Sequence, residues 1–131
     1  QIAEIVAMAR EGFAVFAGSG SYLLPTLAVG GVGATAAVSN VFPDECAAVI
    51  RLFYQGDIQG ACELQLKLME VNRAVTSRWG VPGLKAALDI IGLYGGPPRR
   101  PMLPLGEAER QELARIIDRT GFLSRTGLSN E

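Results

Sequence analysis

Between Glu11 and Asp44 no residue carries a charge, a stretch of about thirty residues that is long enough to span a membrane or to be buried on all sides. Its internal punctuation decides between these. Gly12, Gly18, Gly20, Gly30, Gly31 and Gly33 interrupt it, Pro25 sits in its middle, and alanine and serine stand where a membrane helix would carry leucine and isoleucine. The run therefore reads as short buried strands with a helix between them, the way a parallel sheet looks in sequence. Phe13 to Ala17 is expected as a first strand, Gly18, Ser19 and Gly20 as a turn, and Tyr22 to Val29 as a short helix capped by Ser21 with Pro25 in its first turn. Gly30 ends that helix. Gly33 to Val38 follows as a second strand buried on both faces, and Ser39 and Asn40 open a polar turn.

The flanking segments read as helices. Gln1 to Arg10 has helical spacing from its first residue with no cap before it, so Gln1 is expected to be an internal position of a longer protein. Pro43, Asp44 and Glu45 make a favourable first turn, Val49, Ile50 and Phe53 share a face, and Gly56 closes the helix. Asp57 is placed to cap a longer helix to about Arg78, striped by Ala61, Leu64, Leu68, Val71 and Val75. Pro82 starts another, with Leu84, Leu88 and Ile91 inward and Gly92 after it. Tyr94 to Pro104 holds two glycines and four prolines and reads as a connector. Glu107 to Thr120 is the last helix, with Leu113, Ile116 and Ile117 on one face and Gly121 as its stop.

Helix, strand, helix, strand, helix is a βα repeat. Two strands alone would leave unpaired edges and uncovered faces. A (β/α)₈ barrel of roughly 250 residues supplies the missing strands. The expected fold class is thus α/β: the last two strands of a TIM barrel in residues 1–56, followed by a carboxyl-terminal helical extension in residues 57–131.

Composition narrows function by exclusion. A net charge of -1 gives no field to attract nucleic acid or an anionic membrane. The chain has no histidine and two cysteines, so zinc sites and histidine-based triads are not expected. Two thiols, Cys46 and Cys62, suit a structural role in a reducing compartment, here the cytoplasm. Gly31, Gly33 and Ala36 fit the spacing G-x-G-x-x-A, but a dinucleotide fingerprint needs a strand before it and a helix opening within it. Here the order is reversed.

FAVFAGSGSYLLPTLAVGGVGATAAVSN, residues 13–40, resembles the seventh strand, following helix and eighth strand of the family of dihydrodipicolinate synthase and N-acetylneuraminate lyase. NRAVTSRWGVPGLKAALDIIGLYGGPPRRPMLPL, residues 72–105, resembles the helical carboxyl-terminal region of the same family. The resemblance runs from Gln1 to about Phe122. It implies a pyruvate-dependent lyase of the class I kind, in which a lysine amine attacks the ketone of pyruvate or another 2-oxo acid, and the imine acts as electron sink. It also implies a cytoplasmic homo-oligomer, dimer or tetramer, that needs no cofactor and no metal.

The family's lysine lies on the sixth strand, which on this resemblance precedes Gln1, so no catalytic residue is expected within the chain. Its two lysines, Lys67 and Lys85, fall on the helices outside the barrel. What the chain is expected to contribute is pocket wall at the carboxyl ends of its strands: Gly18, Ser19 and Thr35 are the candidate substrate-binding residues. Members that cleave sialic acid carry an acidic pair where this chain has Gly20 and Ser21, which disfavours that activity. AGSGSYL, VTSRWGVPGLK and LYGGPPRRP look closer to the 4-hydroxy-2-oxoglutarate aldolase branch and to bacterial dihydrodipicolinate synthase-like members. Thr35 departs from the aliphatic residue usual in the family. A reading from another class is a non-catalytic helical interaction module built on residues 72–122, for which the uncharged strand region would have no purpose. Arg99 and Arg100 read as solvated charges.

Overall fold

In the computed structural model, which describes residues 1–123, the uncharged run does fold as strand, helix, strand. Helix α1 spans Ile2–Met8, strand β1 Phe16–Ala17, helix α2 Leu23–Ala28 and strand β2 Gly33–Ala34. The strands are parallel, with Phe16 opposite Gly33 and Ala17 opposite Ala34. Val32 N–H donates to Val15 C=O at 2.9 Å and Thr35 N–H to Ala17 C=O at 2.8 Å, carrying the pairing past both ends. The crossover through α2 makes this a β-α-β unit.

Both strands are shorter than the sequence suggests. Phe13 to Val15 precede β1 without joining it. After Ala34 the chain continues extended through Ala36 and then coils into a 3-10 turn at Ala37–Asn40. Ser39 Oγ–H donates to the Ala36 carbonyl at 2.5 Å and Asn40 Nδ2–H to the Ala37 carbonyl at 3.1 Å, so the side chains of the expected polar turn draw its start back to Ala37, into the segment expected as strand. The expectation of burial on both faces also fails: Phe13 is 67% exposed and Phe16 56% exposed. A short strand pair covers one face with its own helices and needs neighbouring strands and side chains for the other.

The remaining helices are α3 (Pro43–Tyr54), α4 (Ile58–Arg73), α5 (Gly80–Ile90) and α6 (Glu107–Arg119). Pro43 opens α3 with Asp44 and Glu45 in its first turn, and Asp57 caps α4, its Oδ1 accepting from Gly60 N–H at 2.9 Å. Glu109 reaches back to Gly106 N–H at 2.9 Å to close the start of α6.

Helix α4 stops five residues short of the expected Arg78, because Ala74–Arg78 widen into a π turn in which Trp79 N–H reaches Ala74 C=O at 3.1 Å. Thr76 Oγ1 takes the Asn72 carbonyl at 2.5 Å and Ser77 Oγ the Arg73 carbonyl at 3.5 Å, competing with the α-helical ladder. Helix α5 begins at Gly80 rather than Pro82, since a proline is tolerated within a first turn. Its fully buried residues are Gly83, Ala86 and Ala87, and Leu84, Leu88 and Ile91 are half-buried around them.

One apolar core runs through α2, α3, α4, α5 and α6, from Leu23 and Val38 through Val49, Leu68 and Val71 to Leu113, Ile117 and Phe122. Phe42 and Phe122 meet edge-to-face at 5.0 Å across it. The β-α-β unit and the helical segment therefore share side-chain contacts across Gly56 and Asp57. Helix α1 buries none of its residues. Native-state hydrogen exchange is accordingly expected to leave α1 amides nearly unprotected while those of Leu68 and Val71 exchange slowest. Comparable protection in α1 and α4 would contradict this.

Both cysteines are free, Cys46 buried and Cys62 exposed. Burial, with the neighbouring Glu45 carboxylate, pushes the Cys46 thiol up to about 11. Because the thiolate is the reactive form, a disulfide reagent at pH 8 is expected to label Cys62 rapidly and Cys46 only after denaturation. The neutral Cys46 thiol is compatible with the fold below its unfolded value of 9.0. Raising the pH from there through about 11 charges it, so the contribution of this site to stability is lost on the alkaline side. Equal labelling rates in the native protein would refute the burial argument.

Candidate functional site

The parallel register places the carboxyl ends of β1 and β2 side by side. Gly18 and Thr35 follow directly after Ala17 and Ala34, the last pair of the register. Both are exposed. A Cβ added at Gly18 would meet only the Tyr22 hydroxyl, at 3.9 Å, so the space over this residue is open. Ser19 continues the turn in an extended conformation and caps the 3-10 turn Gly20–Tyr22, its Oγ accepting from Ser21 N–H at 3.2 Å. Ser19 thus caps the 3-10 turn, whereas α2, for which the sequence suggested Ser21 as cap, starts from Tyr22 with no side-chain cap. An extended residue just before a helical turn can aim its hydroxyl at the free amide two residues on. Gly18, Ser19 and Thr35, the three candidates from sequence, are brought to one rim.

Two residues of α4 hold this rim, and sequence reasoning did not assign either. Gln65 donates from Nε2 to the Gly20 carbonyl at 2.7 Å and accepts on Oε1 from Leu24 N–H at 3.0 Å, bracketing the start of α2. Asn72 donates from Nδ2 to Ser21 Oγ at 2.7 Å and to Ser19 Oγ at 3.3 Å. Both amides are buried, so each of these bonds matters more than a solvated one. Their signal was in the sequence: Gln65 and Asn72 interrupt the apolar stripe Ala61, Leu68, Val71, Val75 at helical spacing, seven positions apart, and a polar residue on a buried stripe must find partners.

Asn72 and Gly20 also explain each other. A Cβ at Gly20 would lie 2.5 Å from Val38 Cγ1 and 2.9 Å from Asn72 Oδ1. The glycine is there because the amide and the valine fill the space a side chain would need. Replacing Asn72 by leucine leaves the Ser19 and Ser21 hydroxyls without their donor. It is expected to lower stability by about 2 kcal/mol and to loosen the turn. Urea unfolding and backbone amide shifts for residues 18–22 would check this, and unchanged turn shifts would count against the clamp.

The two lysines lie away from this rim. Lys67 is exposed on α4, and Lys85 on α5 donates from Nζ to the Gly95 carbonyl at 2.7 Å. Arg99 and Arg100 are exposed in the connector. Among the described residues no group of three or more histidine, cysteine or acidic side chains is placed to hold a metal, and no helix is long and apolar enough to cross a membrane.

The sequence pattern of the dihydrodipicolinate synthetase family matches residues 1–120. This chain belongs to that family. Among its curated relatives, the 4-hydroxy-tetrahydrodipicolinate synthase of Moorella thermoacetica is 33% identical over 123 residues, which is 94% of this chain and 42% of the relative. The synthase of Caldicellulosiruptor bescii is 32% identical over 117 residues, 89% of this chain and 39% of that protein. The fold agrees as well. The 4-hydroxy-tetrahydrodipicolinate synthase of Methylacidiphilum fumariolicum superposes with a TM-score of 0.83 at 29% identity, covering 95% of this chain and 41% of that one. A dihydrodipicolinate synthase variant described as monomeric gives 0.83 at 27% identity, over 92% and 41%. This family member thus spans about two-fifths of the length of the curated relatives it matches.

Proposed function

We propose that this chain forms the last two strands and the helical extension of a (β/α)₈ barrel, with residues 1–56 in the barrel and 57–123 appended to it, the rest of the expected extension, 124–131, lying outside the described residues. On this reading it is part of a pyruvate-dependent, lysine-imine carbon–carbon lyase of the dihydrodipicolinate synthase kind. The observation that carries the reading is that Gly18 and Thr35 stand just past the carboxyl ends of two paired parallel strands, the end where barrel enzymes keep their active sites. The imine-forming lysine would stand on a strand outside this sequence.

In that setting Gly18 keeps the space above the imine clear, and the Thr35 backbone lines the opposite side. The Ser19 hydroxyl already accepts from Ser21 N–H and Asn72 Nδ2–H, so its own hydrogen is left to donate to a substrate oxygen. The substrates are pyruvate and a partner aldehyde, or the 2-oxo acid that such an addition forms. The names carried by the curated relatives favour the synthase over cleavage of 4-hydroxy-2-oxoglutarate to pyruvate and glyoxylate. The helical extension packs on the strand unit through one core, which speaks against a free-standing helical interaction module. A cytoplasmic dimer or tetramer is the assembly proposed for the whole enzyme, although a monomeric relative exists.

Placing this chain in frame of the matched region of the Moorella thermoacetica synthase tests the reading. The hybrid is expected to turn over pyruvate with an aldehyde, and Ser19→Ala within it to raise KM for the aldehyde several-fold with little change in KM for pyruvate. A well-folded hybrid without pyruvate-dependent turnover would sink the proposal.

A further inference from the structure

Helix α4 with the π turn that follows it runs antiparallel to α6, and two ion pairs tie them. Arg119 Nη2 meets Glu70 Oε1 at 2.5 Å, and Arg78 meets Glu112 through both nitrogens at 2.7 Å. Between the pairs lies a cleft of about 480 Å³ lined by Glu70, Arg73, Ala74, Ser77, Arg78 and Ile116. Its charges do not cancel. Glu70 and Glu112 are each engaged by an arginine, whereas Arg73 has no carboxylate within ion-pair distance among the described residues. Among the described residues of the two pairs and the cleft lining, three arginines stand against two glutamates.

The Arg73 guanidinium, unpaired among the described residues, shares the cleft with a hydroxyl donor. Ser77 is one turn on from Arg73, and its hydroxyl reaches the Arg73 carbonyl only at 3.5 Å, the outer limit of a hydrogen bond, so it can swing towards a better acceptor. Arg78 forms a fixed wall, held by Glu112 and stacked over the Trp79 ring at 4.2 Å. The backbone carrying Arg73 to Arg78 leaves α4 as a π turn, and such turns occur often at binding sites because they re-aim side chains out of the helical register.

We propose that this cleft is an oxyanion-binding site, in which the Arg73 fork and the Ser77 hydroxyl hold the carboxylate or phosphoryl group of a small metabolite over the Ala74 and Ile116 floor. A guanidinium matches either group through two parallel hydrogen bonds. The site lies between α4 and α6, uses none of Gly18, Ser19 or Thr35, and stands independently of the aldolase reading.

Nitrogen-resolved NMR of the chain, titrated separately with potassium phosphate and sodium succinate against sodium chloride at matched ionic strength, tests it. At least one of the two is expected to move the Arg73 side-chain Nε–H and the Ser77 amide saturably. The stronger of them identifies the group. Arg73→Ala should weaken binding at least tenfold and Ser77→Ala several-fold, whereas Arg99→Ala on the exposed connector should leave it unchanged. Shifts that follow ionic strength alone, or saturable binding retained in both Arg73→Ala and Ser77→Ala, would overturn the proposal.

Discussion

Borohydride reduction of this chain in the presence of pyruvate is expected to leave Lys67 and Lys85 unmodified. An imine needs a neutral amine in a desolvated pocket or beside another cation, with room for the ketone to approach. Lys67 projects from the exposed side of α4 into solvent. Lys85 is spent structurally, its Nζ donating to the Gly95 carbonyl at 2.7 Å. Neither stands at the rim formed by Gly18, Ser19 and Thr35. The effect is all or none, and intact mass with peptide mapping reads it directly. A reduced pyruvyl adduct on either lysine would show a reactive amine where the fold provides no site for one.

Gly95→Ala is expected to cost about 2–4 kcal/mol of stability, well above an ordinary surface substitution. A Cβ at Gly95 would fall inside the van der Waals shell of the Lys85 carbonyl, a backbone group that cannot swing aside. Relieving the clash means moving the connector off α5. That movement breaks the bonds that fasten it: Lys85 Nζ to Gly95 C=O, Gly95 N–H to Asp89 Oδ1 at 2.8 Å, and the weaker Gly96 N–H contact to the same oxygen at 3.4 Å. Asp89 would then also lose its setting beside Arg110, 3.7 Å away. Gly106→Ala is the control, since a Cβ there would meet only Glu109 at 3.7 Å and the change at a helix cap costs under about 1 kcal/mol. Equal midpoints for the two variants in urea would contradict the clasp.

The sequence revealed the β-α-β order because an uncharged run broken by glycines has few other ways to fold. It also revealed most helix starts, since Pro43 and Asp57 act through local backbone chemistry. Strand lengths were not legible. Phe13 to Val15 and Ala36 to Val38 have strand-like composition, but pairing depends on neighbours, and the side chains of Ser39 and Asn40 stabilise a turn instead. The π turn was hidden for a related reason: Thr76 and Ser77 look like ordinary surface residues until their hydroxyls take the Asn72 and Arg73 carbonyls. At the candidate site, Gly18, Ser19 and Thr35 could be named from position along the strands. Gln65 and Asn72 could not be assigned, because their bonds to the turn span 41 to 53 positions and only the folded chain brings them there.

On the proposed reading, β1 and β2 are staves of a closed sheet whose pocket becomes competent when the other staves are present. Borohydride trapping on the hybrid with the Moorella thermoacetica synthase measures this most directly. One pyruvyl adduct is expected, on a lysine of the Moorella portion, with Lys67 and Lys85 untouched. A folded hybrid with no adduct, or with the adduct on Lys67 or Lys85, would contradict it.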